Sequence, residues 1–173
     1  MSGLGLAQPI ITLAEAQAFV RVETGEEEAI LAGIVRSASA LCEAFLGQVV
    51  IAREFKEELA ASASWQRMRL SPVRAIASVE AADGTPLPMT SYATDIDMSG
   101  DGWVRIADPG GMVRVRVSGT VGMAALEHDA PEPIRHGVLR LVAHLYASRD
   151  GQAGDPPAAV TALWRPYRRV RVA

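Results

Sequence analysis

The strongest helical pattern in the chain lies in residues 24–47, TGEEEAILAGIVRSASALCEAFLG. Apolar residues recur there at spacings of three and four, which is typical of an α-helix with one buried face. Three glutamates at the start suit the positive end of the helix dipole, and Gly47 is a favourable residue just past the end. The expected buried face comprises Ile30, Leu31, Ile34, Ala38, Leu41, Cys42 and Phe45.

Two further helices are indicated on either side of a central region. Thr12 and Glu15 fit a capping box that starts a short helix ending near Val20. Near the C-terminus, Pro131 and Pro133 suit the first turn of a helix. We expect the long helix to pack, through Ile30, Ile34, Leu41 and Phe45, on a face of this last helix formed by Ile134, Val138 and Leu145. The small residues Ala38, Ser39 and Ala40 would then remain for neighbouring subunits.

Residues 48–120 have a different pattern. Valines at 113, 115 and 117 alternate with Arg114 and Arg116, as in a half-buried antiparallel strand. Turn sequences such as DGTPLP (83–88) separate short apolar runs. The predicted fold class is therefore α+β: helices at about 12–46 and 131–149 pack together, a small antiparallel β region at about 48–120 is inserted between them, and the tail is extended. We assign one domain to 1–163 and a C-terminal arm to 164–173.

Composition is that of a globular protein. The chain has 173 residues, of which 49% are hydrophobic and 21% charged, and a formal net charge of −3. The lone Cys42 excludes an intramolecular disulfide and is expected to be buried. The N-terminus lacks the features of a signal peptide, and the apolar runs fall short of the ~20 residues that span a bilayer. These features predict a soluble intracellular protein.

The sequence predicts no catalytic residue, no metal site and no cofactor. His136 and His144 are two helical turns apart, too far to share one ion easily, and His128 lies before the helix. DIDMSGDG at 95–102 lacks the glutamate that completes a calcium-binding loop. Neither an HExxH motif, a CxxC motif nor a nucleophile elbow is present. We therefore expect a protein that is not an enzyme.

The chain ends in a cationic segment, WRPYRRVRV at 164–172. Its RVRV alternation suits addition of a strand to the edge of a partner's sheet, and nine extended residues reach about 30 Å. A solvated, disordered end is the alternative. A pI of about 5.6 argues against a broad phosphate-binding face. The residues assigned to a docking arm are Trp164, Arg165, Tyr167, Arg168, Arg169, Val170, Arg171 and Val172.

Three segments in order resemble a known family, the head–tail connector (adaptor) proteins of long-tailed phages. ITLAEAQAFVRVETGEEEAILAGIVRSASALCEAFLG (11–47) is similar to the family's N-terminal signature, and PEPIRHGVLRLVAHLYASRD (131–150) to its C-terminal helix. AAVTALWRPYRRVRVA (158–173) is similar to its closing segment, although Trp164 and the linker GQAGDPP depart from the pattern. Related adaptors occur in gene transfer agents, and the sequence does not distinguish these from phages or prophages.

The resemblance implies a structural neck protein in a virion or phage-like particle, assembled in the bacterial cytoplasm. About twelve copies would form a ring between the portal protein and the next neck (stopper) protein, without a membrane. Double-stranded DNA would pass through the lumen without sequence-specific binding, and the C-terminal arm would anchor to the portal. Glu26, Glu27 and Glu28 would face the lumen or, equally, serve only as a helix start. The alternative function is a small nucleic-acid-binding or regulatory protein that uses its basic tail.

Overall fold

The computed structural model describes residues 3–4, 7–22, 25, 27–148 and 155–169. The chain divides into two compact units. A sheet unit consists of Met1–Leu6 and Ala52–Met123, and a helical unit consists of Ala7–Ile51 and Ala124–Ala173. The β region is thus inserted between the helices of the second unit, and the predicted α+β class is confirmed.

Helices in the described part of the helical unit are α1 (Leu13–Val20), α2 (Glu28–Leu46), α3 (Glu132–Ala147) and α4 (Ala158–Trp164). The predicted capping box at the start of α1 is confirmed, because the Thr12 hydroxyl accepts from the Glu15 N–H and the Glu15 carboxylate accepts from the Thr12 N–H. Gly47 ends α2 in the left-handed conformation (φ 65°), which glycine adopts without a Cβ penalty.

The buried face of α2 differs from the predicted one. Leu31, Ala38 and Cys42 are buried as expected, but Ile30 is 52% exposed and Leu41 is 46% exposed. Their assignment to the core was wrong because α2 is apolar around most of its circumference, so that spacing alone does not select the inner side. Val35, Ser39 and Leu46 complete the buried face.

Ala38 and Ser39 do not form a surface for neighbours, contrary to the prediction, whereas Ala40 is exposed as predicted. The Ser39 hydroxyl accepts a hydrogen bond of 3.0 Å from the Ile10 N–H, and both Ala38 and Ser39 are buried.

The buried face of α3 includes Ile134 and Val138, as the sequence predicts, but Leu145 is only half-buried. The buried residues of α3 are Ile134, Gly137, Val138, Leu141 and Val142.

Antiparallel strands make two small sheets in the described sheet unit. One has the order β1-β2-β7-β4, formed by Gly3–Leu4, Arg53–Ala60, Arg114–Val121 and Val73–Ala81. The other has the order β3-β6-β5, formed by Gln66–Arg67, Gly102–Ile106 and Tyr92–Ile96. Val115 and Val117 are buried as the alternation predicts, but Val113 is 78% exposed. It precedes the first residue of β7, and so the alternation does not yet apply there.

The apolar character of α2 exceeds the sequence expectation. Within the described residues, Glu28–Leu46 is long and apolar enough to cross a bilayer, and 33% of its most apolar 18-residue stretch is buried. The core helix of a soluble protein can have the same length and composition. What distinguishes α2 is that so much of its apolar surface is left outside the core.

Candidate functional site

The C-terminal segment begins at a buried tryptophan. Trp164 closes α4, is 1% exposed, and donates a hydrogen bond of 3.1 Å from its indole Nε1 to the carbonyl oxygen of Ile134. Its ring lies against Phe45 of α2, with 5.8 Å between ring centroids. A Cβ built on Gly137 would overlap the indole. Trp164 therefore holds α4 against α2 and α3, and the expectation that it lies in an extended arm as an anchor for a partner is wrong.

After Trp164 the chain turns once and runs along the end of α2. Arg165–Tyr167 form a 3-10 turn, and the backbone is extended from Arg168. Gln48 donates a hydrogen bond of 2.6 Å from Nε2 to the carbonyl oxygen of Tyr167. The Arg169 N–H donates one of 2.9 Å to the carbonyl oxygen of Leu46. We call residues 165–169 the arm root, because these contacts fix this segment against the end of α2.

Positive charge is concentrated at the arm root. The Arg168 guanidinium lies 5.2 Å from the centre of the Phe45 ring, within the range of a cation–π contact. Arg165 and Arg168 are exposed, and Arg169 is half-buried. Cations here are favourable because the C-terminal end of a helix carries partial negative charge. The arrangement presents guanidinium groups that can pair with carboxylates of a partner.

The arm root contains four of the predicted docking residues, Arg165, Tyr167, Arg168 and Arg169. Trp164 directly precedes it and is buried. The other predicted docking residues, Val170, Arg171 and Val172, lie outside the described residues. Gln48 and Gly137 were missed by sequence reasoning. A glycine within an otherwise regular helix is a recognisable sign of close packing, whereas Gln48 shows no sequence feature that predicts its bond to Tyr167.

The predicted acidic cluster is divided in the structure. Glu27 is half-buried at the N-cap of α2, and its carboxylate accepts a hydrogen bond from the Tyr146 hydroxyl. Glu28 is exposed in the first turn of α2. Glu26 lies outside the described residues. One member of the cluster thus has a structural contact within the helical unit.

A polar network joins the start of α1 to α3. The Arg135 guanidinium is paired with Glu15, and its Nη1 lies 2.7 Å from Glu132. Burial raises the pKa of Glu15, but the hydrogen bonds from Thr12 and the charge of Arg135 outweigh burial and hold that pKa below its usual value. Ionised Glu15 therefore stabilises the contact between these helices.

The side chains that could bind a metal ion are dispersed in the part of the chain that the structure describes. No group of three or more His, Cys, Asp or Glu there is placed to hold a metal ion. His136 is exposed, with its ring edge-on to Phe19 at 6.3 Å between centroids, whereas His144 is half-buried. Cys42 is fully buried, and burial raises the pKa of its thiol.

Similarity to known proteins is found among solved structures. No protein-family model and no curated protein matches the sequence. Solved structures do match, and in three of them the match covers 100% of this chain and 97% of the other. The neck of an empty gene transfer agent particle computed with C6 symmetry is 27% identical with a TM-score of 0.77. The virion of a native gene transfer agent particle is 26% identical with a TM-score of 0.77.

A third structure, the neck of a native particle computed with C12 symmetry, has a TM-score of 0.76. At 24% identity it supports the fold alone. The likeness extends over the whole chain and is not confined to the helices from which the resemblance was recognised. The family resemblance indicated by the sequence is thus confirmed, and the chain has the fold of a gene transfer agent neck protein.

Proposed function

We propose that this chain is a structural neck protein of a gene transfer agent or a related phage-like particle, in which copies form a ring. The observation that carries this proposal is the match to a particle neck structure over 100% of this chain and 97% of the other at a TM-score of 0.77. The C6 symmetry of that neck structure supports a ring of repeated subunits. The role is mechanical rather than catalytic, and its place is the neck of the particle, after assembly in the bacterial cytoplasm.

The arm root is the proposed point of departure of a portal-binding arm. Its support is the fixed geometry of residues 165–169, together with the exposed Arg165 and Arg168. The RVRV sequence that begins at Arg169 would add a strand to a portal sheet edge, with backbone hydrogen bonds giving affinity and alternation giving register. Because Trp164 is internal, the binding part of the arm begins after it.

The ring would act as a conduit for double-stranded DNA between the portal and the stopper protein. For DNA to pass without sequence-specific binding, the lumen must not bind the DNA phosphates tightly. Exposed Glu28, together with Glu26, is the proposed source of like-charge repulsion at the lumen, over about a Debye length of 8–10 Å. The competing role of these glutamates is to support the start of α2 through the helix dipole.

The portal-binding arm is tested with two variants of the full chain. Truncation after Arg169 removes only residues beyond the arm root, and Arg165→Gln with Arg168→Gln neutralises its exposed cations. We expect both variants to fold with wild-type thermal stability and to be largely lost from portal-containing heads in a sedimentation assay. Arg140→Gln, which removes one positive charge from an exposed site on α3, is the control for loss of charge away from the arm root and should bind as wild type does.

Wild-type occupancy of heads by the truncated chain would contradict the portal assignment. The same truncation also addresses the nucleic-acid alternative. If it abolishes a steeply salt-dependent DNA affinity while head binding stays intact, the tail is a phosphate-binding element instead.

A further inference from the structure

The outward side of α2 carries an uncharged stripe. Ile30 and Leu41 are 52% and 46% exposed, Ser37 and Ala44 are exposed, and Gly33 is half-buried. These five residues follow one another at spacings of three and four, so they lie along one side of the helix. We call this set the α2 outer stripe. It contains none of the charged residues of α2, which are Glu28, Arg36 and Glu43.

The length of the stripe and the sizes of its residues suit packing against another helix. From Ile30 to Ala44 it extends for about 21 Å at 1.5 Å per residue. A Cβ built on Gly33 would meet only the Arg36 guanidinium, at 3.9 Å, so the middle of the stripe is open. Small residues between two larger apolar ones allow another helix to approach closely. Exposed large apolar residues aligned on one side of a helix are a feature of interaction sites.

We propose that the α2 outer stripe packs against a second copy of this chain and joins neighbouring subunits of the neck ring. This inference rests on the proposed function, in which copies form a ring, and a neck structure similar to this chain was computed with C6 symmetry. In a cyclic ring every interface joins two different surfaces of the subunit. The stripe of one copy therefore meets another surface of the next copy rather than the same stripe.

We assign the surface complementary to the α2 outer stripe to the exposed side of α1 that carries Phe19. Phe19 is 41% exposed, and Ala18 is exposed on the adjoining side of the same short helix, with Ala14 one turn before it. An aromatic ring next to two alanines offers a projection that fits the open middle of the stripe. Leu126 is also exposed in the described helical unit, but Glu127 and Asp129 follow it directly. An uncharged stripe is better matched by this face of α1, because its acidic residue, Glu15, is already paired with Arg135 of the same subunit.

The first test places a charge in the stripe. Leu41→Asp changes a partly exposed residue, so the subunit should stay folded, as judged by circular dichroism and thermal melting. We expect at least a tenfold loss of ring assembly on portal-containing heads, because an unpaired carboxylate would be buried at the interface. Met98→Asp introduces the same charge at a fully exposed apolar site in the sheet unit and should assemble as wild type does.

The second test identifies the two surfaces by crosslinking. Phe19→Cys and Ser37→Cys are combined in a Cys42→Ala background and treated with a short bismaleimide. The double variant should give a ladder of crosslinked oligomers, and each single variant should remain uncrosslinked. A dimer formed by Ser37→Cys alone would show that the stripe packs on itself, which contradicts the proposal.

Other outcomes separate the inference from the function on which it rests. If wild-type rings form and Leu41→Asp assembles equally well, the stripe assignment is overturned and the neck function stands. If wild type forms no ring on heads, both are overturned. Flotation of wild type with phosphatidylcholine–phosphatidylglycerol vesicles, lost in Leu41→Asp while ring assembly is retained, would show that the stripe binds membrane instead.

Discussion

The indole nitrogen of Trp164 occupies the space that a side chain on Gly137 would need. The same nitrogen donates to the carbonyl oxygen of Ile134, one turn earlier on α3. A residue at the end of α4 is thus fitted to a gap in α3, and the position of the arm root depends on this fit.

Substitution of Gly137 by alanine should destabilise the protein. The added methyl group would force the indole to move or the two helices to separate, and such overpacking costs about 1–3 kcal/mol. Urea denaturation followed by tryptophan fluorescence measures the change in the free energy of unfolding.

Gly33→Ala is the control for helix propensity. Gly33 also lies within a helix, but a Cβ there meets only one flexible atom, at 3.9 Å. This variant should be neutral or more stable, by up to about 1 kcal/mol. Equal effects of the two substitutions, measured at concentrations where the chain is monomeric, would contradict the fitted contact at Gly137.

Two truncations should differ sharply in stability. A chain ending at Leu163 loses Trp164, a buried aromatic whose removal costs about 3–5 kcal/mol in comparable cores. A chain ending at Arg169 keeps Trp164 and the bond from Arg169 to Leu46, so it should melt within a few degrees of wild type. Differential scanning calorimetry distinguishes them, and a stable chain ending at Leu163 would refute the internal role of Trp164.

The sequence predicted helices and sheet well, because caps, turns and alternation act locally. Thr12, Glu15 and Gly47 each occupy the position that their chemistry favours. The inner side of α2 was harder to predict, since Ile30 and Leu31 are both apolar and only tertiary packing selects between them. The burial of Trp164 depends on Gly137, 27 residues earlier in the chain, and such a contact leaves no local pattern.

Glu15 should make stability depend on pH in the acidic range. Its pKa is lowered in the folded state, so its contribution is fully present above the unfolded pKa of about 4.3 and is lost as pH falls through the folded value. Glu15→Gln should therefore be less stable than wild type at neutral pH, and this difference should shrink below about pH 4. Urea denaturation at several pH values measures it, and a difference that grows on acidification would contradict the pairing with Arg135.

The acidic start of α2 is tested by replacing Glu26, Glu27 and Glu28 with glutamine. A lumen role predicts intact rings with defective DNA passage, whereas a helix-start role predicts only a modest loss of stability. Tyr146→Phe is the companion variant, because it removes the hydrogen bond to Glu27 without changing charge. It should cost about 1 kcal/mol in thermal or urea unfolding and leave DNA passage unchanged.

The central claim is that this chain is a neck protein, and cryo-electron microscopy of the particle neck tests it most directly. Particles from the cells that produce this chain would be reconstructed with cyclic symmetry and the subunit densities assigned from side chains. The account predicts a ring of this chain between head and tail, in which the Trp164 indole packs against Gly137 in every subunit. Particles whose neck is complete without this chain would contradict it.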